Sequence, residues 1–133
     1  MNQGLVYLDS SAIMKLVFEE RETQALARFL HAWPNRTSST LARVEVMVSV
    51  RRVDNDDVHR EAVNILSGID LVHPDHRMFA AACATDPPLV RALDAIYLAT
   101  AVALGHELAG MIVYDRRLAE AARHAGLTVW APA

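Results

Sequence analysis

The stretch Leu5–Phe18, LVYLDSSAIMKLVF, decides the fold class of this 133-residue chain. It opens with four apolar residues, and a carboxylate, Asp9, follows them directly. After two serines, apolar residues return at helical spacing, so the pattern predicts a buried strand and then a helix packed back against a sheet. Ligands of open parallel α/β sheets bind at the carboxyl ends of the strands. The sequence therefore predicts that Asp9 lies where such a sheet places its functional residues.

A second apolar run, Met111–Tyr114, ends on another carboxylate, Asp115, and a helix is predicted over Arg116–His124. Strands and helices alternate along the rest of the chain, which indicates a mostly parallel central sheet of about five short strands with helices on both faces. The two strand-end carboxylates should then lie at the same edge of the sheet. The predicted strands cover residues 5–8, 36–39, 69–72, 111–114 and 127–130. The helices predicted after the first cover residues 20–32, 41–53, 58–67, 78–84, 93–104 and 116–124.

Glu45 belongs to a predicted apolar stripe on the helix that follows the second strand. Leu41, Val44, Met47 and Val48 recur there at helical spacing, and Glu45 lies within that set. A charged side chain that faces a core is costly unless another charge or an ion compensates it. The pattern alone leaves two interpretations open, an inward glutamate with a function or a glutamate at the edge of the stripe that reaches water.

Asp94 is the only charged residue of the most apolar predicted helix, and it lies in the first turn, where a carboxylate often caps a helix. A helix cap is likewise the structural alternative for Asp115, and an Asx turn with Ser11 is the alternative for Asp9. Taken together, these three acids and Glu45 adjoin apolar elements that must pack, whereas most other acids lie in polar turns or helix starts. Clustered carboxylates need protonation, basic partners or a metal, and oxygen ligands without cysteine suit Mg²⁺ or Mn²⁺.

Composition limits the classes of function. The formal net charge of −3, from 13 basic and 16 acidic residues, argues against a generic nucleic-acid-binding surface. A metal bound by four of the acids would leave the other charges nearly balanced, so a nucleic-acid substrate stays open. No apolar run has the length of a membrane span, and the N-terminus lacks the features of a signal peptide. The single cysteine, Cys83, lies in an apolar run, which predicts a buried thiol in a reducing, cytoplasmic compartment.

Four motifs carry a resemblance to a known family. They are LDSSA at residues 8–12, Glu45 in the helix after the second strand, LDAIYLATA at residues 93–101 and YDRRL at residues 114–118. Their order and spacing, over essentially the whole chain, resemble those of PIN-domain ribonucleases, and specifically the VapC-type toxins of bacterial type II toxin–antitoxin pairs. The resemblance implies a single PIN domain over residues 1–133 with a three-layer α/β/α fold.

The resemblance also implies an activity, the hydrolysis of RNA phosphodiester bonds by an endoribonuclease that uses Mg²⁺, or Mn²⁺ in its place. The family's acidic quartet, which binds the metal and takes part in catalysis, carries over to Asp9, Glu45, Asp94 and Asp115. A catalytic hydroxyl just after the first aspartate is matched by Ser10, with Ser11 as the alternative. Many relatives have a threonine or serine two positions before the last aspartate, where this chain has Val113.

The partners that the resemblance implies are RNA, a cognate VapB-type antitoxin that covers the site, and a second copy of the chain in a homodimer within a toxin–antitoxin hetero-oligomer. Such proteins act in the bacterial cytoplasm and need no membrane. Candidates for phosphate contact are arginines near the motifs, with an ordinary solubilising role as the alternative: Arg43, Arg91, Arg116 and Arg117.

Other classes of function fit less well. A receiver-like signalling domain needs a lysine after a late strand, and the only lysine, Lys15, lies in the first predicted helix. A haloacid-dehalogenase-type phosphatase needs an aspartate two residues after Asp9, where this chain has Ser11. The alternative that stays open is a PIN-like binding module with weak or no catalytic activity, because Val113 departs from the family pattern.

Overall fold

The computed structural model describes residues 2–86, 88 and 91–133, and its centre is a five-stranded sheet in which every neighbouring pair of strands is parallel. The strand order β3-β2-β1-β4-β5 places the opening strand in the middle. The sequence prediction of a parallel α/β sheet with about five short strands is confirmed. The strands are β1 (Leu5–Leu8), β2 (Arg36–Ser39), β3 (Asp70–Val72), β4 (Leu108–Ile112) and β5 (Val129–Trp130).

The helices form the two outer layers of a three-layer α/β/α arrangement. The described part of the chain contains α1 (Ser10–Val17), α2 (Thr23–His31), α3 (Thr40–Val53), α4 (Asp56–Ser67), α5 (His76–Cys83), α6 (Ala92–Ala103) and α7 (Arg116–His124). The first of these packs against α2, α3 and α4, whereas α6 packs against α5 and α7. None of the helices within the described ranges is both long and apolar enough to cross a membrane.

The fourth strand differs most from its prediction, since it begins at Leu108 and ends at Ile112, before Val113 and Tyr114. Its first residues, LAG, lack the bulky apolar pattern of a strand. Gly110 is required at its position because an added Cβ would lie 2.5 Å from a ring carbon of Trp130 on β5. The small residue thus allows an indole to cover this strand.

The apolar stripe predicted for α3 is correct for Leu41 and Met47, which pack against the core, and wrong for Val44 and Val48. Val44 and Val48 are 55% and 45% exposed, and the face packed into the core instead carries Ala42, Val46 and Val50. Both sets repeat every four residues, so spacing alone does not distinguish them. Glu45 precedes Val46 and lies half-buried at the border of the true inward face.

The prediction of a buried Cys83 is also wrong, because the thiol-bearing residue is exposed at the end of α5. This helix is peripheral, packs mainly on α6, and buries none of its residues fully. Its run of alanines reflects close packing on one side of a surface helix, since small side chains let two helices approach.

Candidate active site

Four carboxylates approach one pocket at the carboxyl edge of the sheet. Asp9 directly follows β1, Asp115 follows the neighbouring parallel strand β4, Glu45 comes from α3 and Asp94 from the first turn of α6. The structure therefore brings together the four acids that the sequence selected, in a cavity of about 370 Å³. Its lining consists of Asp9, Ser10, Ser11, Glu45, Arg91, Ala92, Leu93, Asp94 and Asp115.

Asp9 is the most buried acid of the pocket, at 4% exposure. Its Oδ1 accepts hydrogen bonds from the backbone amide of Ala12 (2.9 Å) and from the Ser11 hydroxyl (2.8 Å), so the residue is the N-cap of α1 as well as a member of the site. Burial raises the pKa of Asp9 to about 6; the two hydrogen bonds oppose that rise, and the negative charges of Asp94 and Asp115 add to it. Within the described residues no basic side chain forms an ion pair with Asp9.

Asp115 and Asp94 occupy the starts of two different helices. Asp115 caps α7, since its Oδ1 accepts the amide of Leu118 at 2.9 Å. Asp94 does not cap α6, because it lies in the first helical turn, after Arg91 at the N-cap position. Burial raises the pKa of Asp94, Asp115 raises it further, and the charge of Arg91 acts in the opposite direction. The capping alternative thus applies to Asp115 and not to Asp94.

Glu45 is held by a residue that the sequence interpretation did not select. Tyr97, in α6, is 1% exposed, and its hydroxyl donates a hydrogen bond to Oε1 of Glu45. Burial raises the pKa of Tyr97, and the adjacent carboxylate raises it further, so the phenol stays a donor. A signal was present in the sequence, because Tyr97 lies three residues after Asp94 on the same face of the helix, and a buried tyrosine hydroxyl needs a partner.

A second tyrosine hydroxyl lies behind the pocket. Tyr7 on β1 is fully buried, and its hydroxyl has no hydrogen-bond partner among the described residues. The adjacent Ser38 hydroxyl donates to the carbonyl of Leu8 at 2.6 Å instead. Burial raises the pKa of Tyr7, the neighbouring Ser38 hydroxyl opposes that rise, and the charge of Asp9 adds to it. The fold therefore buries a neutral, unpaired hydroxyl next to its most buried carboxylate.

Of the two serines, Ser10 lines the pocket, but the hydroxyl bonded to Asp9 belongs to Ser11. Among the basic residues, Arg91 lines the pocket, while Lys15 is engaged elsewhere by Glu22 at 2.8 Å and lies over the ring of Tyr114. The other arginines considered from the sequence are exposed and do not line the pocket: Arg43, Arg116 and Arg117.

The donor set suits a hard divalent cation, because the polar atoms of the pocket are carboxylate and hydroxyl oxygens beside a single guanidinium. Four carboxylates against one arginine leave an excess of negative charge that such a cation would neutralise. No group of three or more His, Cys, Asp or Glu side chains within the described residues forms a ready-made metal site. This arrangement is compatible with Mg²⁺, which keeps several waters and often binds through only one or two carboxylates.

Comparison with known proteins places the chain in a family. The model of the PIN domain family matches residues 6–124, a range that contains all four carboxylates. The chain belongs to the PIN domain family. It is 43% identical to ribonuclease VapC46 of Mycobacterium tuberculosis H37Rv over 128 residues, which cover 96% of this chain and 97% of that protein. The predicted resemblance to VapC-type proteins is thereby confirmed.

Solved structures agree with this placement. A toxin–antitoxin complex from Klebsiella pneumoniae contains a chain that is similar at a TM-score of 0.65 and 25% identity, over 83% of this chain and 86% of that one. The Rickettsia felis VapBC2 complex, bound to a DNA fragment from its promoter, is similar in fold at a TM-score of 0.76 and 10% identity, over 95% of this chain and 97% of that one.

Proposed function

We propose that this PIN-domain protein is an endoribonuclease toxin that requires Mg²⁺ or Mn²⁺ and hydrolyses RNA phosphodiester bonds. The observation that carries the proposal is the convergence of Asp9, Glu45, Asp94 and Asp115 on one pocket that contains a single arginine. The name of the 43% identical relative, a ribonuclease, supports the same reaction. We further propose that the whole chain, residues 1–133, works as one domain in the bacterial cytoplasm.

The carboxylates would hold the cation and position the reactants. A divalent cation bound here supplies activation of water for in-line attack and stabilisation of the negative charge that develops on the phosphate oxygens. Asp9 and Asp115 are each held in place at one oxygen by a helix amide, which fixes their orientation before any substrate arrives. Ser10 lines the same pocket and is positioned to contact the substrate or its water shell.

Arg91 has a separate role in this proposal. An RNA backbone is a polyanion, and four carboxylates would repel it in the absence of a compensating charge. Arg91 lines the pocket beside Asp94 and offers a charge-assisted hydrogen bond to a phosphate. The exposed arginines outside the pocket contribute at most to general attraction of the RNA strand.

The partner that we propose is an antitoxin that covers the site, and the similarity of the chain to a protein of a toxin–antitoxin complex supports such a partner. Exposed apolar side chains occur on both helices that deliver Glu45 and Asp94. On α3, Val44 and Val48 lie one turn apart on the same face and are 55% and 45% exposed, and Leu93, which lines the pocket next to Asp94, is 36% exposed. An antitoxin segment that buries these side chains would exclude RNA and water from the pocket. A homodimer is proposed with it, as the VapC family implies.

The alternative of an inactive binding module receives no support from the position of Val113. That side chain is 1% exposed and does not line the pocket, so the absence of a hydroxyl there leaves the pocket lining unchanged.

The test is an RNA cleavage assay with Mg²⁺ or Mn²⁺ and with EDTA, using wild type, Asp9→Asn and Asp94→Asn. We expect cleavage by the wild type only with metal, and a loss of at least about a hundredfold in both variants, since each removes a charge from the metal site. The matched control is Asp75→Asn, which alters an exposed helix cap outside the pocket. Equal cleavage by all four proteins contradicts the site, and a wild type without cleavage in either metal favours the binding module.

A further inference from the structure

A buried hydroxyl reaches the site from the core side of the pocket. Tyr97 in α6 donates a hydrogen bond to Oε1 of Glu45 in α3, so the bond joins two helices that each deliver a carboxylate to the pocket. We infer that Tyr97 is a positioning residue, whose hydroxyl orients Glu45 toward the divalent cation. The inference rests on the proposed function, because it assigns a role at the same site.

The role of such a residue becomes clear from a comparison with the two carboxylates that follow strands, Asp9 and Asp115. The Oδ1 atoms of Asp9 and Asp115 accept backbone amides of the helices that these residues cap. Glu45 lies inside α3, where backbone amides are already bonded within the helix, so no amide is available to it. Glutamate also has one more rotatable bond than aspartate and loses more freedom when it is fixed. The Tyr97 hydroxyl is the donor that replaces the missing amide.

Burial makes this donor rigid. The Tyr97 side chain is 1% exposed, so its ring is fixed by the core and its hydroxyl emerges at one place, against Glu45. The hydroxyl engages Oε1, and Oε2 has no partner among the described residues. A carboxylate held at one oxygen presents the other in a defined direction, as a metal ligand requires.

A purely structural tyrosine would be a costly choice at this position. Burying a phenol hydroxyl is unfavourable unless it is paired, and phenylalanine would fill the same volume without that cost. The hydroxyl is paired with a group that lines the pocket and not with a core carbonyl. The arrangement therefore favours a role toward the site.

The test measures Mn²⁺ affinity by electron paramagnetic resonance of the free ion, without RNA. Residues that orient a metal ligand typically change metal affinity by about 10–100-fold when they are replaced. We expect Tyr97→Phe to weaken Mn²⁺ binding by at least about tenfold. The matched control is Tyr114→Phe, which removes a hydroxyl bonded to the carbonyl of Pro132, outside the pocket, and should leave the affinity unchanged.

A double-mutant cycle separates positioning from packing. In Glu45→Ala three carboxylates of the pocket remain, and Tyr97→Phe should cause no further loss of Mn²⁺ affinity in this background. Equal losses in both backgrounds, or an unchanged affinity of Tyr97→Phe, overturn the inference. If the wild type binds no Mn²⁺, both the proposed metal site and the role of Tyr97 are wrong. If the wild type and Tyr97→Phe bind Mn²⁺ equally tightly, only the positioning role of Tyr97 is wrong. Circular dichroism of each variant confirms the fold.

Discussion

Replacement of Asp9 by asparagine should stabilise the metal-free protein at neutral and alkaline pH. Asp9 is 4% exposed, and burial raises its pKa from 3.8 to about 6. This rise in pKa means that the ionised Asp9 side chain lowers the free energy of unfolding by about 3 kcal/mol. Asparagine removes the charge and keeps an oxygen that accepts the amide of Ala12, so the cap of α1 persists.

The sign of the pH dependence follows from proton linkage. Below pH 3.8 Asp9 is protonated in the folded and unfolded states, so its burial carries no charge penalty. Between 3.8 and about 6 the folded state holds the proton more tightly than the unfolded state, and stability falls as pH rises through this window. Above about 6 the full cost is present. The advantage of Asp9→Asn should therefore grow from near zero at about pH 3.5 to about 3 kcal/mol at about pH 8.

Urea unfolding in EDTA at a series of pH values measures this difference. Asp75→Asn is the control, since Asp75 caps α5 through an equivalent bond to Met78 but is exposed. Its free energy of unfolding should stay within about 0.5 kcal/mol of wild type at every pH. The reasoning is refuted if Asp9→Asn destabilises the metal-free protein at about pH 8, or if its effect is the same at both ends of the pH range.

The remaining predictions concern the fold around the pocket. Tyr7→Phe removes a buried, unpaired hydroxyl and should raise the free energy of unfolding by about 1 kcal/mol in urea, whereas a decrease would show that the hydroxyl has a partner. Gly110→Ala places a Cβ 2.5 Å from the β5 indole and should lower the melting temperature, at a cost of about 2 kcal/mol, while Gly68→Ala, whose nearest contact is 3.5 Å, should have little effect. Val113→Thr puts a hydroxyl into the core outside the pocket and should destabilise the protein by about 1–2 kcal/mol without raising ribonuclease activity; increased RNA cleavage would contradict this.

The parts of the fold that could be predicted are those with strong local signals. The bounds of β1, β2 and α7 match the structure because each has its own local signal: an apolar run that ends on Asp9 for β1, the serine cap Ser39 at the end of β2, and the terminating glycine Gly126 after α7. The carboxylates Asp9 and Asp115 were placed at one edge because parallel strands end at the same edge of a sheet. Asp94 and Glu45 could be selected because each is an acid beside apolar residues.

The features that were predicted wrongly or not at all depend on contacts between distant segments of the chain. The inward face of α3 is set by what packs on it, and two valines with the correct spacing, Val44 and Val48, lie on the outside. The start of β4 was not predicted, because a glycine argues against a strand. Gly110 belongs to the strand because the indole of Trp130 leaves no room for a side chain there. The bond between Tyr97 and Glu45 joins residues 52 positions apart, so the sequence indicates only that a buried tyrosine hydroxyl in α6 needs a partner and not that Glu45 is that partner.

Two of the site's carboxylates are also the N-caps of helices, and this limits how the protein can evolve. Asp9 and Asp115 each accept an amide at the start of a helix, so mutation to alanine removes a cap worth about 1 kcal/mol together with the charge. Mutation to asparagine, serine or threonine removes the charge and retains a cap. In lineages where such a toxin loses its activity but keeps its fold, positions 9 and 115 should therefore carry asparagine, serine or threonine. Bulky apolar residues should be rare at both positions.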